Sequence, residues 1–363
     1  MYDLPQLIGE PGFLPALRCS LQGSAPPPLI RDAKIKITSL CNLRCTMCGY
    51  WRRSRESALD TDTWKRVLHQ LSEQGCRKVH FSGGEVFTRG DFLHLLEQAV
   101  GLGLKTNLTS NGTLVDRQTA RRLVKAGVNS VSLSLDAPSA AVHDRLRGVP
   151  GAFRRTLRAL RRIARYSAAA AHPVKIRVNV VVMKHNFRRL PELVRLAGEL
   201  GATDLHAMPV DEKGASRRRL SRSQIELFNR EIAPEVLELR RRYGFSLHRD
   251  AVYPFGVTPE EIAYSKQGLY ARGLYERLTC LAPWIHLYLS WNGEAYPCCM
   301  TNGRVPALGK VSRAAVSEIF HGEPYRDLRA ALRQGRHPAA CHGCDLFSAE
   351  NIRLHEALEH RSG

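Results

Sequence analysis

Three cysteines, Cys41, Cys45 and Cys48, lie close together directly after a stretch that is predicted to end a β-strand. Their thiolates can hold three corners of an iron–sulfur cubane, which is normally bound by four cysteines. Three local ligands therefore leave one iron open, where a small molecule can bind and react. A structural zinc knuckle would need four nitrogen or sulfur ligands close together, and the sequence offers no fourth ligand near this loop.

A second group of cysteines lies near the carboxyl end, around a hairpin predicted from an alternating apolar stretch and the turn Asn292-Gly293. Cysteines at such spacings in a chain without an export signal indicate metal ligands more than disulfides. A zinc ribbon is an alternative to an iron–sulfur site here. The second group consists of Cys280, Cys298, Cys299, Cys341 and Cys344.

The elements that position these cysteines show a regular strand–helix alternation. This pattern is typical of βαβ units and a parallel sheet, and six repeats predict a partial (β/α)6 barrel, an α/β fold. Strands are predicted at 34–40, 77–82, 104–109, 129–136, 174–183 and 202–208. Helices are predicted at 61–75, 91–103, 116–126, 152–167 and 187–200.

Polar and apolar residues alternate along every predicted strand, which is unusual for a barrel with an apolar interior. Side chains of a strand point alternately to its two faces. If the helices cover the apolar face, then the polar face lines a cavity inside the barrel. His80, Arg177 and His206 lie on that face and are candidate bases or orienting groups for catalysis.

The motifs at the strand ends resemble those of the radical S-adenosylmethionine (SAM) superfamily. The resemblance covers the CxxxCxxC loop, Phe81-Ser82-Gly83-Gly84-Glu85 and the Arg147-Gly148 pair. It implies that SAM binds the open iron through its amino and carboxylate groups, and that reductive cleavage gives a 5′-deoxyadenosyl radical. The implied SAM-binding residues are Met47, Tyr50, Gly83, Gly84, Glu85, Ser110, Asn111, Ser134, Arg147 and Asn179.

The carboxyl-terminal cysteines and hairpin resemble the SPASM/twitch modules of aminocyclitol-type and peptide-maturing radical SAM enzymes. By that resemblance Cys280, Cys298, Cys341 and Cys344 hold a single auxiliary [4Fe–4S] cluster that accepts an electron. Cys299 is left over beside Cys298, although either member of the pair could be the ligand. Cys299 is either a spare thiol or a hydrogen-atom donor to the substrate radical.

The expected domains are a loosely structured lead-in (1–33), the barrel (34–210), a connecting helical segment (211–279) and a hairpin-plus-helix module (280–363). The main functional hypothesis is dehydrogenation or epimerisation of a small polar substrate, such as a sugar, an aminocyclitol or a nucleoside-like compound. The alternative is maturation of a ribosomally synthesised peptide. The lead-in is shorter than a leader-binding domain, which favours the small molecule.

The expected partners follow from the same resemblance and from composition. A flavodoxin- or ferredoxin-type protein would supply the electron that reductive cleavage requires. The net charge of +20 is spread along the chain, and the run from Arg154 to Arg165 fits the basic solvent face of an amphipathic helix. A nucleic-acid partner is therefore not expected. Without a signal peptide or an apolar span, the predicted location is the cytoplasm.

Overall fold

The computed structural model describes residues 4–27, 29–52, 58–212, 216–344 and 347–360. Its nine strands form one sheet. The strands are β1 (Asp32–Thr38), β2 (Lys78–Gly83), β3 (Lys105–Ser110), β4 (Ser130–Ser134), β5 (Lys175–Val182), β6 (Asp204–Pro209), β7 (His286–Leu289), β8 (Glu294–Tyr296) and β9 (Gly309–Lys310).

Helices follow or connect these strands. The amino-terminal half contains α1 (Leu4–Ile8), α2 (Phe13–Gln22), α3 (Thr61–Glu73), α4 (Phe92–Gly101), α5 (Arg117–Lys125), α6 (Ala140–Arg147), α7 (Ala152–Ala168) and α8 (Leu190–Glu199). The remainder contains α9 (Arg222–Leu227), α10 (Ala233–Tyr243), α11 (Arg249–Val252), α12 (Pro259–Gln267), α13 (Leu274–Arg277), α14 (Ala282–Ile285), α15 (Val316–His321), α16 (Glu323–Arg333) and α17 (Ser348–His360). No helix in these described ranges is long and apolar enough to cross a membrane.

The sheet order is β6-β5-β4-β3-β2-β1-β7-β8-β9. The first six strands are parallel and each pairs with its neighbour in sequence, so the predicted α/β fold is confirmed. The predicted hairpin also forms, because β7 and β8 are antiparallel. Its first strand pairs in parallel with β1, which makes the carboxyl-terminal module a continuation of the barrel sheet.

The predicted two-faced strands are present. Val79, Leu108, Val131 and Val178 are fully buried and belong to one apolar core together with Trp64 of α3. The intervening strand residues are polar and mostly remain partly accessible. The helices therefore cover the apolar face, and the polar face lines the inner side of the sheet.

Two parts of the chain differ from the sequence expectation. Residues 4–22 are not loosely structured: α1 and α2 bury Leu7 and Leu17 against Trp284, Leu332 and Leu354 of the carboxyl-terminal helices. The apolar positions were visible in the sequence, but their partners lie about 270 to 350 residues away, so periodicity alone could not reveal the packing. The connecting segment likewise contains more helix than expected, with α11, α12 and α13 following the helix predicted at 222–242.

Candidate active site

The first cysteine loop follows β1 and lies across the turn between α6 and α7. The Arg44 amide donates to the Arg147 carbonyl (3.1 Å) and the Thr46 amide donates to the Leu146 carbonyl (2.8 Å). Cys45 is buried with Leu43 and Ala152, while Cys41 and Cys48 remain partly accessible. The loop therefore presents its three thiols from a backbone that two neighbouring elements hold in place.

The glycine pair after β2 is required by the close approach of this cysteine loop. The Gly84 amide donates to the Thr38 carbonyl (2.9 Å) and the Glu85 amide donates to the Leu40 carbonyl (2.7 Å). A Cβ atom on Gly84 would lie 2.1 Å from the Leu40 oxygen, and one on Gly83 would lie 2.4 Å from the Thr38 oxygen. Only glycine fits at such contacts, so these two residues join the second strand to the cysteine loop.

The side chain of Glu85 is almost completely buried at the carboxyl ends of β2 and β3. Its carboxylate accepts hydrogen bonds from the Ser110 hydroxyl (2.8 Å) and from the Asn111 amide (2.7 Å). Burial raises the pKa of Glu85 above its usual range, although these hydrogen bonds act in the opposite direction. Ser110 and Asn111, predicted to contact SAM, thus also fix the orientation of Glu85.

The side chain of Asn111 also joins the cysteine loop to β3. Its amide group donates to the Asn42 side-chain oxygen (2.9 Å), and the Asn42 amide donates to the Thr113 hydroxyl (2.8 Å). Asn42 and Thr113 were not among the predicted site residues. Their signal in the sequence is weak, since a polar residue beside a cysteine motif is expected to be exposed.

A buried ion pair lies beside Cys45. Arg147 contacts Asp136 at 2.8 Å, and its guanidinium also lies 3.8 Å from the Cys45 sulfur. Burial opposes the charge on Arg147, but Asp136 and Cys45 together raise its pKa above the usual range. Arg147, which is predicted to contact SAM, therefore has a buried partner, Asp136, that the sequence analysis missed. A lone Asp at the end of a strand could have suggested it.

The three catalytic candidates lie on the inner face of the sheet. His80 of β2 shares a hydrogen bond with the Thr109 hydroxyl (2.9 Å). Burial lowers the pKa of His80 well below its usual value, with Lys34, Lys78 and Arg177 adding to the effect. Burial likewise lowers the pKa of His206 to about 4. Both imidazoles are therefore neutral near pH 7, and the Arg177 side chain is exposed on the same face.

The strand register aligns Ser134, Asn179 and His206 on adjacent strands β4, β5 and β6. The side-chain oxygen of Asn179 is buried and has no hydrogen-bond partner among the described residues, and the same is true of the Ser82 hydroxyl. Unpaired buried polar atoms are costly. Ser82 lies on β2 and Asn179 on β5, two parallel strands separated by β3 and β4, and their unpaired atoms fit a polar ligand such as the ribose or methionyl part of SAM.

Met47 lies within the first cysteine loop and Tyr50 follows it directly, and their side chains contact different parts of the molecule. Met47 packs with the loop cysteines and with Leu146 and Met183. Tyr50 lies under the Lys36 ammonium, which is 3.1 Å from the ring centroid. Met47 and Tyr50, both predicted to contact SAM, therefore lie next to the thiols, and the Tyr50 amide is 3.4 Å from the Cys48 sulfur.

A polar contact joins Tyr50 to the carboxyl-terminal module. The Asn302 amide donates to the hydroxyls of Tyr50 (2.5 Å) and Tyr288 (3.0 Å). Tyr288 is fully buried, and its pKa is raised by burial and by its neighbours, which include Cys299. Cys299 is partly accessible and lies near Tyr288, one of the two tyrosines that Asn302 contacts.

The four proposed auxiliary ligands come together in the carboxyl-terminal module. Cys298 and Cys344 are buried in one cluster against which Cys280 and Cys341 pack. The Asn351 amide lies 3.8 Å from the Cys280 sulfur, and the Tyr275 hydroxyl lies 3.8 Å from the Cys344 sulfur. Burial raises the pKa of Cys298 to about 12, so binding a metal must displace its proton.

Tyr275 and Asn351, which contact the auxiliary thiols, were not predicted from the sequence because no motif marks them. Across the part of the chain that the structure describes, no group of three His, Cys, Asp or Glu side chains meets the geometry for a single metal ion. The assignment of iron–sulfur clusters rests on the cysteine pattern, on the thiol neighbourhoods above and on the comparisons with known families.

Family models match both halves of the chain. Residues 35–197 match the radical SAM superfamily, and residues 280–345 match SPASM, an iron–sulfur cluster-binding domain. The chain therefore contains a radical SAM domain followed by a SPASM domain. These domains imply SAM, a [4Fe–4S] cluster and auxiliary iron–sulfur binding as cofactors, and the donor sets described above fit them.

Two curated relatives match most of the chain. One is the AdoMet-dependent heme synthase of Methanosarcina barkeri, 28% identical over 310 residues that cover 81% of this chain and 83% of the relative. The other is the PqqA peptide cyclase of Xanthomonas campestris, 28% identical over 331 residues that cover 88% and 80%.

Among solved structures, SuiB of Streptococcus suis bound to S-adenosylmethionine has a TM-score of 0.67 and 19% identity, covering 90% of this chain and 75% of SuiB. The protein anSMEcpe with bound AdoMet has a TM-score of 0.62 and 18% identity, covering 91% of this chain and all of that protein. At these identities the two structures establish the shared fold.

Proposed function

We propose that this radical SAM enzyme modifies a ribosomally synthesised peptide by crosslinking, epimerisation or oxidation. The observation that carries the proposal is the match to PqqA peptide cyclases over 88% of the chain. A second PqqA peptide cyclase, from Gluconobacter oxydans, is 37% identical over 178 residues, or 48% of each chain. These relatives favour the peptide alternative over the small polar substrate that was the main hypothesis.

The chain's own residues prepare the site for hydrogen abstraction. Cys41, Cys45 and Cys48 hold the first cluster, and Glu85 and Asn179 offer polar atoms to SAM. When bound, the cluster and SAM supply a 5′-deoxyadenosyl radical. The protein's contribution is to orient the substrate and to exclude water from the reacting atoms.

The inner face of the sheet provides the substrate-orienting groups. We assign His80 and His206 as neutral hydrogen-bonding partners of the peptide, since burial lowers the pKa of both imidazoles. The exposed cation of Arg177 offers donors for a carbonyl or carboxylate. If the three single alanine variants of these residues all retain normal turnover, the assignment of this face to the substrate is wrong.

The carboxyl-terminal module completes the reaction. We assign Cys280, Cys298, Cys341 and Cys344 to the auxiliary cluster, whose role would be to accept the electron that the substrate radical loses when it becomes an oxidised product. Cys299 would be the hydrogen-atom donor if the reaction is an epimerisation. In that case Cys299→Ala should retain hydrogen abstraction but lose the epimerised product, whereas a spare thiol could be replaced without effect.

A second candidate is a small-molecule substrate, and it is favoured by the match to the AdoMet-dependent heme synthase over 81% of the chain. The two candidates differ in where the abstracted hydrogen comes from. A flavodoxin- or ferredoxin-type protein is the proposed electron donor for either of them.

The deciding experiment follows deuterium from substrate into 5′-deoxyadenosine. The reconstituted enzyme is incubated with SAM, a reductant and a deuterated form of each short peptide encoded beside the gene, and 5′-deoxyadenosine is analysed by mass spectrometry. The proposal predicts deuterium transfer from one peptide, together with a mass change of that peptide. Transfer from a deuterated sugar, aminocyclitol or tetrapyrrole, with none from the peptides, would overturn it.

A further inference from the structure

Helices α5 and α7 pack against each other and together expose a strongly basic surface. Helix α7 contains six arginines and neither helix contains an acidic residue. Their apolar residues, including Leu123, Leu160 and Ile163, are buried in the core. The basic face is defined by the exposed residues Arg117, Arg121, Lys125, Arg154, Arg158, Arg161 and Arg165.

Little negative charge offsets this basic face. No Asp or Glu occurs in the sequence from Arg145 to Pro191. Asp116 caps α5 by accepting from the Thr119 amide, and the nearby Glu97 pairs with Arg122. Among the residues that the structure describes, none of the seven side chains of the basic face forms an ion pair with a carboxylate, so the face is available to an acidic partner.

The basic face begins next to the first cysteine loop. Ala152, the first residue of α7, packs with Leu43 and Cys45. One turn later, the Thr156 hydroxyl donates to the Asn111 carbonyl (2.7 Å), and Asn111 is bonded to the same loop through Asn42. At a rise of about 1.5 Å per residue, Arg154 and Arg158 lie within roughly 10 Å of Ala152 along the helix axis.

We propose that the basic face of α5 and α7 docks an acidic one-electron donor protein of the flavodoxin type. Complementary charge accelerates and orients such encounters, and docking here brings the donor to the helix that packs on the cluster loop. A single electron passes from the reduced flavin to the cluster held by the three cysteines, and no bond is made or broken. The inference rests on the radical SAM assignment and is independent of the substrate.

The test measures binding of a purified, dye-labelled flavodoxin to the reconstituted holoenzyme by fluorescence anisotropy. The test variant is Arg154→Glu/Arg158→Glu/Arg161→Glu. The control variant, Arg66→Glu/Arg326→Glu/Arg353→Glu, makes the same change of charge at exposed positions on α3, α16 and α17. A second readout is the rate at which reduced flavodoxin bleaches the visible absorbance of the cluster, compared with the rate at which dithionite bleaches it.

We expect the test variant to bind flavodoxin at least about ten-fold more weakly at low salt and the control variant to bind much more tightly than the test variant. The difference should shrink near 1 M salt, where the Debye length is about 3 Å. Bleaching by dithionite should be unchanged.

Equal binding by the wild type and the test variant, or an equal loss in both variants, would overturn the proposal. So would a test variant that loses binding of a short RNA but keeps flavodoxin binding, because the face would then be a nucleic-acid site. Because the assays contain no peptide, their outcome is separate from that of the proposed peptide substrate.

Discussion

A single methyl group at Gly84 should push the loop that carries Cys41, Cys45 and Cys48 away from the segment that carries Gly84 and Glu85. In Gly84→Ala the new Cβ would lie 2.1 Å from the Leu40 oxygen and 2.6 Å from the Ser39 oxygen. Both are backbone atoms, so the two loops must move apart by about 1 Å to restore an ordinary contact. The movement would also break the hydrogen bond from the Glu85 amide to the Leu40 carbonyl.

The cost can be estimated from these two effects. Overpacking costs about 1–3 kcal/mol, and loss of one hydrogen bond adds about 1 kcal/mol. At about 2.1 cal/mol/K of unfolding entropy per residue, a chain of 363 residues loses about 1.3 °C per kcal/mol, so Tm should fall by roughly 3–5 °C. Iron retained after reconstitution should fall too, because the displaced loop carries Cys41, Cys45 and Cys48.

Calorimetry and iron analysis of Gly84→Ala and Gly90→Ala provide the assay. Gly90 is the matched control, since a Cβ atom there would meet nothing within 4 Å. We expect Gly90→Ala to resemble the wild type in both measurements. If Gly84→Ala has the same Tm and iron content as Gly90→Ala, the inference that the glycine pair holds the cysteine loop is wrong.

Three further perturbations test other parts of the site. In a urea titration, Asp136→Ala should destabilise the fold by about 3–5 kcal/mol, because it leaves the buried guanidinium of Arg147 unpaired. The control Asp62→Ala removes an exposed ion pair and should have little effect in the same titration. His206→Gln should reduce the loss of folding stability between pH 6.5 and 4. In this range only the unfolded imidazole takes up a proton, because the folded-state pKa of His206 is about 4, and the stability that the neutral imidazole contributes is complete only above pH 6.5. A stability–pH profile with an unchanged slope in this acid range would contradict this reasoning. Asn302→Ala removes the hydrogen bonds that the Asn302 amide donates to the Tyr50 and Tyr288 hydroxyls and should weaken SAM binding about ten-fold by calorimetry. Unchanged affinity would show that the carboxyl-terminal module does not support the SAM site.

The order and faces of the six barrel strands could be predicted from local patterns. Alternation along β2 and β5 places His80 and Arg177 opposite the fully buried Val79 and Val178. Period two is a local property of the chain, so no knowledge of distant partners was needed. The cysteine motif and the two glycines were likewise recognisable because they are contiguous in sequence.

The rest depends on contacts between distant segments. The pairing of β7 with β1 and the packing of α2 on α17 join the two ends of the chain, and no local pattern encodes them. The same holds for the contact of Asn302 with Tyr50, which joins residues 252 positions apart in the sequence.

The central claim is that one chain holds a SAM-binding cluster on the barrel and an auxiliary cluster on the carboxyl-terminal module. Iron and sulfide per chain, measured after anaerobic reconstitution, test it most directly. The wild type should contain about eight irons, and a Cys41/Cys45/Cys48 triple alanine variant about four. About four irons in the wild type falling to none in the variant would contradict an auxiliary cluster in the carboxyl-terminal module.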